Sequence, residues 1–126
     1  FEIDSLILND DRHLNNIAVL EQGGAYDYCP IFDNGAGLLS NMQAYNMGIE
    51  PGGLIPTVMS RPFNISFNRQ MGTVRRLYGN QLNLPKFTGA DIGHLLAPLL
   101  EYYPKPLRGY ISDRVMCCIL TRQKFL

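Results

Sequence analysis

Asn9-Asp10-Asp11-Arg12-His13-Leu14-Asn15-Asn16, followed by Pro30-Ile31-Phe32-Asp33-Asn34-Gly35, decides how this chain is read. Between the two lie short β-rich runs, Ile17-Ala18-Val19-Leu20 and Tyr28-Cys29-Pro30-Ile31-Phe32, on either side of Gln22-Gly23-Gly24-Ala25. Two such runs separated by a glycine pair predict a β-hairpin. With the turn centred between Gly24 and Ala25, Asn16 falls opposite Asp33 in the ladder. Paired strands lie ~4.8 Å apart, so an amide oxygen and a carboxylate would converge on one small volume. A loop of another length shifts the register by a residue or two without parting the pair by much. Pro30 has no N–H and places the second strand at an edge or a bulge.

Working outward from the hairpin, Asn16 and Asp33 offer the hard oxygens that magnesium takes, one or two from protein and the rest from phosphate and water. Asp11 stands five residues before Asn16, and a curling loop would bring its carboxylate over the same volume. There it can accept the proton of an alcohol and orient it for in-line attack on a phosphoryl group. Taken alone, D-x-x-x-x-N is a frequent chance match, and Asp10, Asp11 and Asn15 are common turn formers. The hairpin and Asp33-Asn34-Gly35 raise it above that reading. A weaker alternative takes Asp10, Asp11, His13 and Asp33 as a metal-hydrolase cluster, for which a single histidine is a poor ligand set.

The chain has 126 residues, enough for one modest domain, and its 46% hydrophobic content provides for a packed core. Eleven basic and eleven acidic residues cancel, so nothing marks a nucleic-acid face. No apolar run approaches the ~20 residues that span a bilayer, and no basic cluster marks a membrane surface. Cys29, Cys117 and Cys118 are odd in number, with two adjacent, which fits reduced thiols in a cytoplasmic protein. Asn64-Ile65-Ser66 matches the glycosylation sequon by chance on that view. The first residue is Phe1 rather than Met, which predicts a piece of a longer protein.

Phe1 to Leu8 reads as the end of a helix and Asn9 to Asn16 as a loop. Gly35 to Pro62, rich in Gly, Pro, Asn and Met, predicts a long functional loop with short helical turns, and Glu50-Pro51-Gly52-Gly53 a turn only. Three helices follow. The first carries Phe63, Phe67, Met71, Val74 and Tyr78 on one stripe. The second carries Ile92, Leu95, Leu96, Leu99, Leu100 and Tyr103. It starts at a capping box of Thr88 with Asp91, and Pro98 predicts a kink or division. The third runs from about Leu107 to Gln123 and buries Ile111, Val115, Cys118 and Ile119. His94 is expected to be partly buried and structural. Met42, Met47 and Met59 fit core gaps better than a peptide groove.

The segment "NDDRHLNNIAVL" with "PIFDNG" resembles the catalytic segment of HipA-like kinases, whose pattern is D-x-H-x-x-N, a hairpin, then an Asp. It is similar, more distantly, to phosphatidylinositol kinases with D-R-H-x-x-N. The resemblance covers about residues 9 to 35. It implies an α+β, mostly helical domain over residues 1–126, the C-terminal lobe of a protein-kinase-like fold with its N-terminal lobe outside this chain. Carried over by residue, it makes Asp11 the catalytic Asp, Asn16 and Asp33 the Mg²⁺ ligands, and His13, Asn16 and Asp33 ATP-binding residues; a structural histidine bonded to loop backbone is the equal alternative for His13. The implied activity is ATP- and magnesium-dependent transfer to a Ser/Thr hydroxyl of a protein, with the missing lobe, a protein substrate and an antitoxin as partners. Alternatives are a pseudokinase-like interaction module and a lipid-kinase fragment.

This chain departs from the pattern at Asn34, where D-F-G has Phe, and it lacks both a phosphate-gripping P-loop and a V-A-I-K lysine. Gly35-Ala36-Gly37-Leu38-Leu39-Ser40 imitates a glycine-rich loop but follows the metal Asp instead of preceding the catalytic loop. An isolated chain is therefore expected to be inactive or nearly so.

Overall fold

Gly23 and Gly24 set the first piece of structure. Both have positive φ, 61° and 81°, which a two-residue primed turn requires and glycine adopts without steric cost. The turn therefore closes on these two residues, giving β1 (Val19–Gln22) and β2 (Ala25–Tyr28) paired antiparallel with Val19 opposite Tyr28. This corrects the register expected above, which centred the turn one residue later. Asn16 and Asp33 are not ladder partners, because pairing stops at Val19 and Tyr28. The segment Cys29–Phe32 leaves the sheet, as Pro30 has no N–H to give it.

The computed structural model describes all residues, Phe1–Leu126. Before the hairpin come α1 (Glu2–Ile7) and a 3₁₀ turn at Leu14–Asn16. Helix α1 stops where Leu8 turns left-handed, at φ 54°. After the hairpin and a long loop, α2 (Pro51–Leu54) runs into a 3₁₀ turn at Ile55–Thr57. A second hairpin, with strands of two residues each, pairs β3 (Met59–Ser60) with β4 (Ile65–Ser66). Three longer helices follow: α3 (Phe67–Tyr78), α4 (Gly89–Leu100) and α5 (Lys105–Arg122). The domain is α+β, about half helical, with two small antiparallel hairpins. None of its helices is long and apolar enough to cross a membrane.

Helix α5 is the centre of the packing and touches α1, α2 and α4, while α1 also packs on α3. Leu8, Leu39, Leu54, Val58, Phe67 and Cys118 belong to one buried cluster built from five parts of the chain. On α5 the fully buried residues are Arg114, Cys118 and Arg122, one face at four-residue spacing. The expected Ile111, Val115 and Ile119 are half-buried beside them.

Elsewhere the helices form near their predicted places but bury less. Phe67 and Met71 of α3 are buried as expected, whereas Tyr78 is exposed, and Phe63 lies outside the helix, exposed in the turn between β3 and β4. Helix α4 buries only Ile92, and Leu95 and Leu99 face out, because α5 alone covers it. Pro98 does not divide α4: the helix ends two residues later, so the missing N–H affects only the last turn. His94 is exposed, not partly buried. Glu50–Gly53 does more than turn the chain, since Pro51 occupies the first helical position of α2.

Candidate active site

Arg12 is the residue around which the loop is built. Its side chain is 5% exposed and pairs with the equally buried Asp4 of α1, through Nε at 3.1 Å and Nη2 at 2.9 Å to Oδ1. A forked guanidinium meeting a carboxylate in this way fixes direction as well as distance. The remaining donors reach across the hairpin. Nη1 donates to the carbonyl oxygens of Asn16 at 3.0 Å and Phe32 at 2.6 Å, and Nη2 to Asn34 Oδ1 at 2.5 Å. One buried cation thus holds α1, the end of the loop, and both chain neighbours of Asp33.

Asn9 completes the frame. Its Nδ2 donates to Asp4 Oδ1 at 3.1 Å, and its Oδ1 accepts from the Asp11 amide at 3.2 Å. Within the loop, the amides of His13 and Asn16 donate to the carbonyls of Asp11 and His13, and the Asn16 side chain returns from Nδ2 to the Asp11 carbonyl at 3.0 Å. Buried Asn16 is therefore fixed through its nitrogen and its own carbonyl. No protein donor engages its Oδ1.

Asp33 takes the left-handed backbone region, φ 53°, which Asp tolerates better than most residues. Its carboxylate is exposed and makes no ion pair or hydrogen bond with the protein. Asn16 Oδ1 and the Asp33 carboxylate are hard oxygens without protein donors, the donor type that Mg²⁺ takes.

Asp11 is half-exposed. Its Oδ1 lies 3.7 Å from Arg61 Nη1 and its Oδ2 lies 3.8 Å from His13 Nε2, both longer than hydrogen bonds. His13 is half-buried, and its Nδ1 is sealed from solvent with no partner. Asp10 is engaged elsewhere and accepts a hydrogen bond from the Tyr45 hydroxyl. Burial, then that bond and the charge of Asp10, raise the Tyr45 pKa well above its ordinary value. An open groove of about 570 Å³ borders Asp11's neighbours, with His13 and Asn15 on one wall and Arg61, Pro62 and Asn64 on the other. A second, of about 300 Å³, opens beside Asn16 against Ala18, Pro30 and Ile31.

Asp11, His13 and Asn16 are thus linked within one loop, and Asp33 joins them through Arg12 rather than through strand pairing. Arg12, Asp4, Asn9 and Arg61 were not singled out from the sequence. Asp4 did carry a signal: an acidic residue inside the apolar run Phe1–Leu8 needs a cation if it is buried, and Arg12 is the nearest in sequence. Arg61 carried none, since only tertiary structure brings it to Asp11. No protein-family model, curated protein or solved structure matches this chain.

Proposed function

We propose that this chain carries the catalytic loop and metal-holding segment of an ATP-dependent phosphotransferase of HipA-like type, acting on a protein hydroxyl. The observation that carries this reading is the Arg12 cluster, which ties the Asn16 end of the loop and both neighbours of Asp33 to one rigid, buried point. Phosphoryl transfer depends on positioning and charge stabilisation more than on covalent chemistry, so a fixed backbone at Asn16 and around Asp33 is what the reaction asks of a protein.

In this reading Asp11 orients the acceptor hydroxyl and takes its proton at a carboxylate oxygen. Its lack of any short hydrogen bond keeps both oxygens available. Asn16 Oδ1 and the Asp33 carboxylate would hold Mg²⁺, which when bound would neutralise charge on the phosphates of ATP. His13 contacts the nucleotide from the loop. This reading also requires a phosphate-gripping loop and lysine, which residues 1–126 do not carry.

The test uses metal and nucleotide before activity. Titrating the chain with ATP and Mn²⁺ should broaden the amide resonances around Asn16 and Asp33. Asn16→Ala and Asp33→Ala should abolish the broadening, and Asp11→Asn should preserve it. Phosphoryl transfer from labelled ATP by a protein that joins this segment to an N-terminal lobe should then disappear with Asp11→Asn. Broadening that ignores Asp33→Ala would sink the proposal. The exposed apolar hairpin, with Val19, Leu20, Tyr26 and Tyr28 all facing out, favours a second reading as a non-catalytic binding module. An intact fold with no metal–nucleotide binding in the protein that joins this segment to an N-terminal lobe would select that one.

A further inference from the structure

Arg114 of α5 is 5% exposed, yet no carboxylate pairs with it. Its Nη1 donates to the carbonyls of Leu39 and Tyr45 at 2.9 and 3.0 Å, and its Nη2 to that of Asn46 at 3.0 Å. These bonds use three of the five guanidinium N–H groups, leaving Nε–H and one Nη2–H without a protein acceptor. Arg114 also lines a cavity of about 360 Å³ between α5 and the loop from Asn34 to Met47. That volume lies within the range of small-molecule sites, about 300–1,000 Å³.

The other walls are mainly apolar: Leu38, Met42 and Met47 from the loop, and Leu107, Ile111 and Val115 from the helix side. No acidic side chain lines the cavity. The loop wall is strained as well, with Leu38 and Leu39 successively left-handed at φ 59° and 58°. Leucine rarely adopts this region, and strain of this kind is concentrated at functional sites. Arg114 holds the strained pair through the Leu39 carbonyl.

A nearly buried cation without a counter-charge, set in an apolar cavity, complements one kind of ligand. We propose that this cavity binds a small amphipathic carboxylate: its negative group takes the spare N–H donors of Arg114, and its hydrocarbon body fills the space between the loop methionines and α5. The cavity meets the other site only at Asn34, which Arg12 holds, and its binding does not depend on the phosphotransferase reading.

The test titrates residues 1–126 with decanoate below its micelle concentration, followed by amide chemical shifts, with decanol and decyltrimethylammonium as equal-length controls. Decanoate should move the resonances of the 34–47 loop and of α5 near Arg114. It should bind at least about tenfold tighter than decanol, the worth of a hydrogen bond to a charged group, and the cationic control should not bind there. Arg114→Met should remove the preference for decanoate over decanol. Because Arg114 also fastens the loop, Ile111→Trp serves as a second variant that fills the cavity and leaves the arginine in place. It should abolish decanoate binding. Equal affinity for decanoate and decanol, no shifts at these residues, or unchanged binding in Ile111→Trp would each overturn the proposal.

Discussion

Arg12 has two roles that mutation can separate. It neutralises buried Asp4, and it joins Asn16 to the residues flanking Asp33. Arg12→Ala takes the guanidinium from the buried Asp4 carboxylate and leaves the Phe1 ammonium, 3.6 Å from its Oδ2, as the remaining cation; breaking a buried pair costs about 3–5 kcal/mol, and the ammonium places this loss at the lower end. Urea unfolding should show a loss of that size. Arg12→Lys keeps the charge but not the planar fork, so it should lose less stability yet still loosen the site. The double change Arg12→Met with Asp4→Leu removes both charges, and such swaps are often neutral in stability. The expected outcome is recovered stability without recovered order at Asn16 and Asp33, read as the absence of ATP-dependent Mn²⁺ broadening. Recovery of both would reduce Arg12 to a structural residue. Arg122 is a different case, since burial alone lowers its pKa and its partners are neutral: the Ser5 carbonyl at 2.8 Å, the Ser5 hydroxyl and Asn68 Oδ1.

At the scale of elements, α4 depends on its first turn because α5 covers only one side of it. Thr88 Oγ1 accepts from the Asp91 amide at 3.2 Å, and Asp91 Oδ2 accepts from the Thr88 hydroxyl and amide, each at 2.7 Å. Thr88→Ala should cost about 0.5–2 kcal/mol, the usual range for a lost cap. The hydroxyl bond, then the amide bond, hold the Asp91 carboxyl below its ordinary value of 3.8. Its contribution is therefore present above that value and lost as pH falls through the lowered one. Between pH 5 and pH 2 the thermal midpoint of the wild type should drop further than that of Asp91→Asn. On α5, burial and then neighbouring Cys117 push the Cys118 thiol up to about 12, whereas Cys29 and Cys117 are only half-buried. A thiol reagent at neutral pH should therefore label Cys29 and Cys117 and spare Cys118 until the chain unfolds. The capping box and the three long helices were legible in the sequence because their signals are local and periodic. The hairpin was legible in kind but not in register, since two adjacent glycines allow more than one turn centre until their φ angles are known. How deeply α4 is buried was not legible, because it depends on how many neighbours cover the helix. At the candidate site, spacing indicated Asp11, Asn16 and Asp33. The contact that joins them runs through Arg12 from a helix eight residues upstream, which spacing does not encode.

Across the whole molecule, sequence-distant parts are joined as much by three buried arginines as by apolar packing. Arg12 ties α1 to the loop and hairpin, Arg114 ties α5 to the 39–46 loop, and Arg122 ties α5 to α1 and α3. Only 21 of the 126 residues are buried, which makes stability uneven. The β1–β2 hairpin is the extreme case, as every residue of both strands is exposed. A two-stranded hairpin without a packed face is marginal in water, so its amides should open without the rest of the fold. Helix α5 lies at the other limit, packing on three helices and supplying Arg114, Cys118 and Arg122 to the interior. Native-state hydrogen exchange should therefore find the amides of Val19–Tyr28 exchanging by local opening, nearly independent of denaturant. The central turns of α5 should be the slowest and follow global unfolding. Protection of the hairpin equal to that of α5 would mean that the chain unfolds as one cooperative unit. The arginine cross-links, and not the distribution of buried surface, would then set its stability.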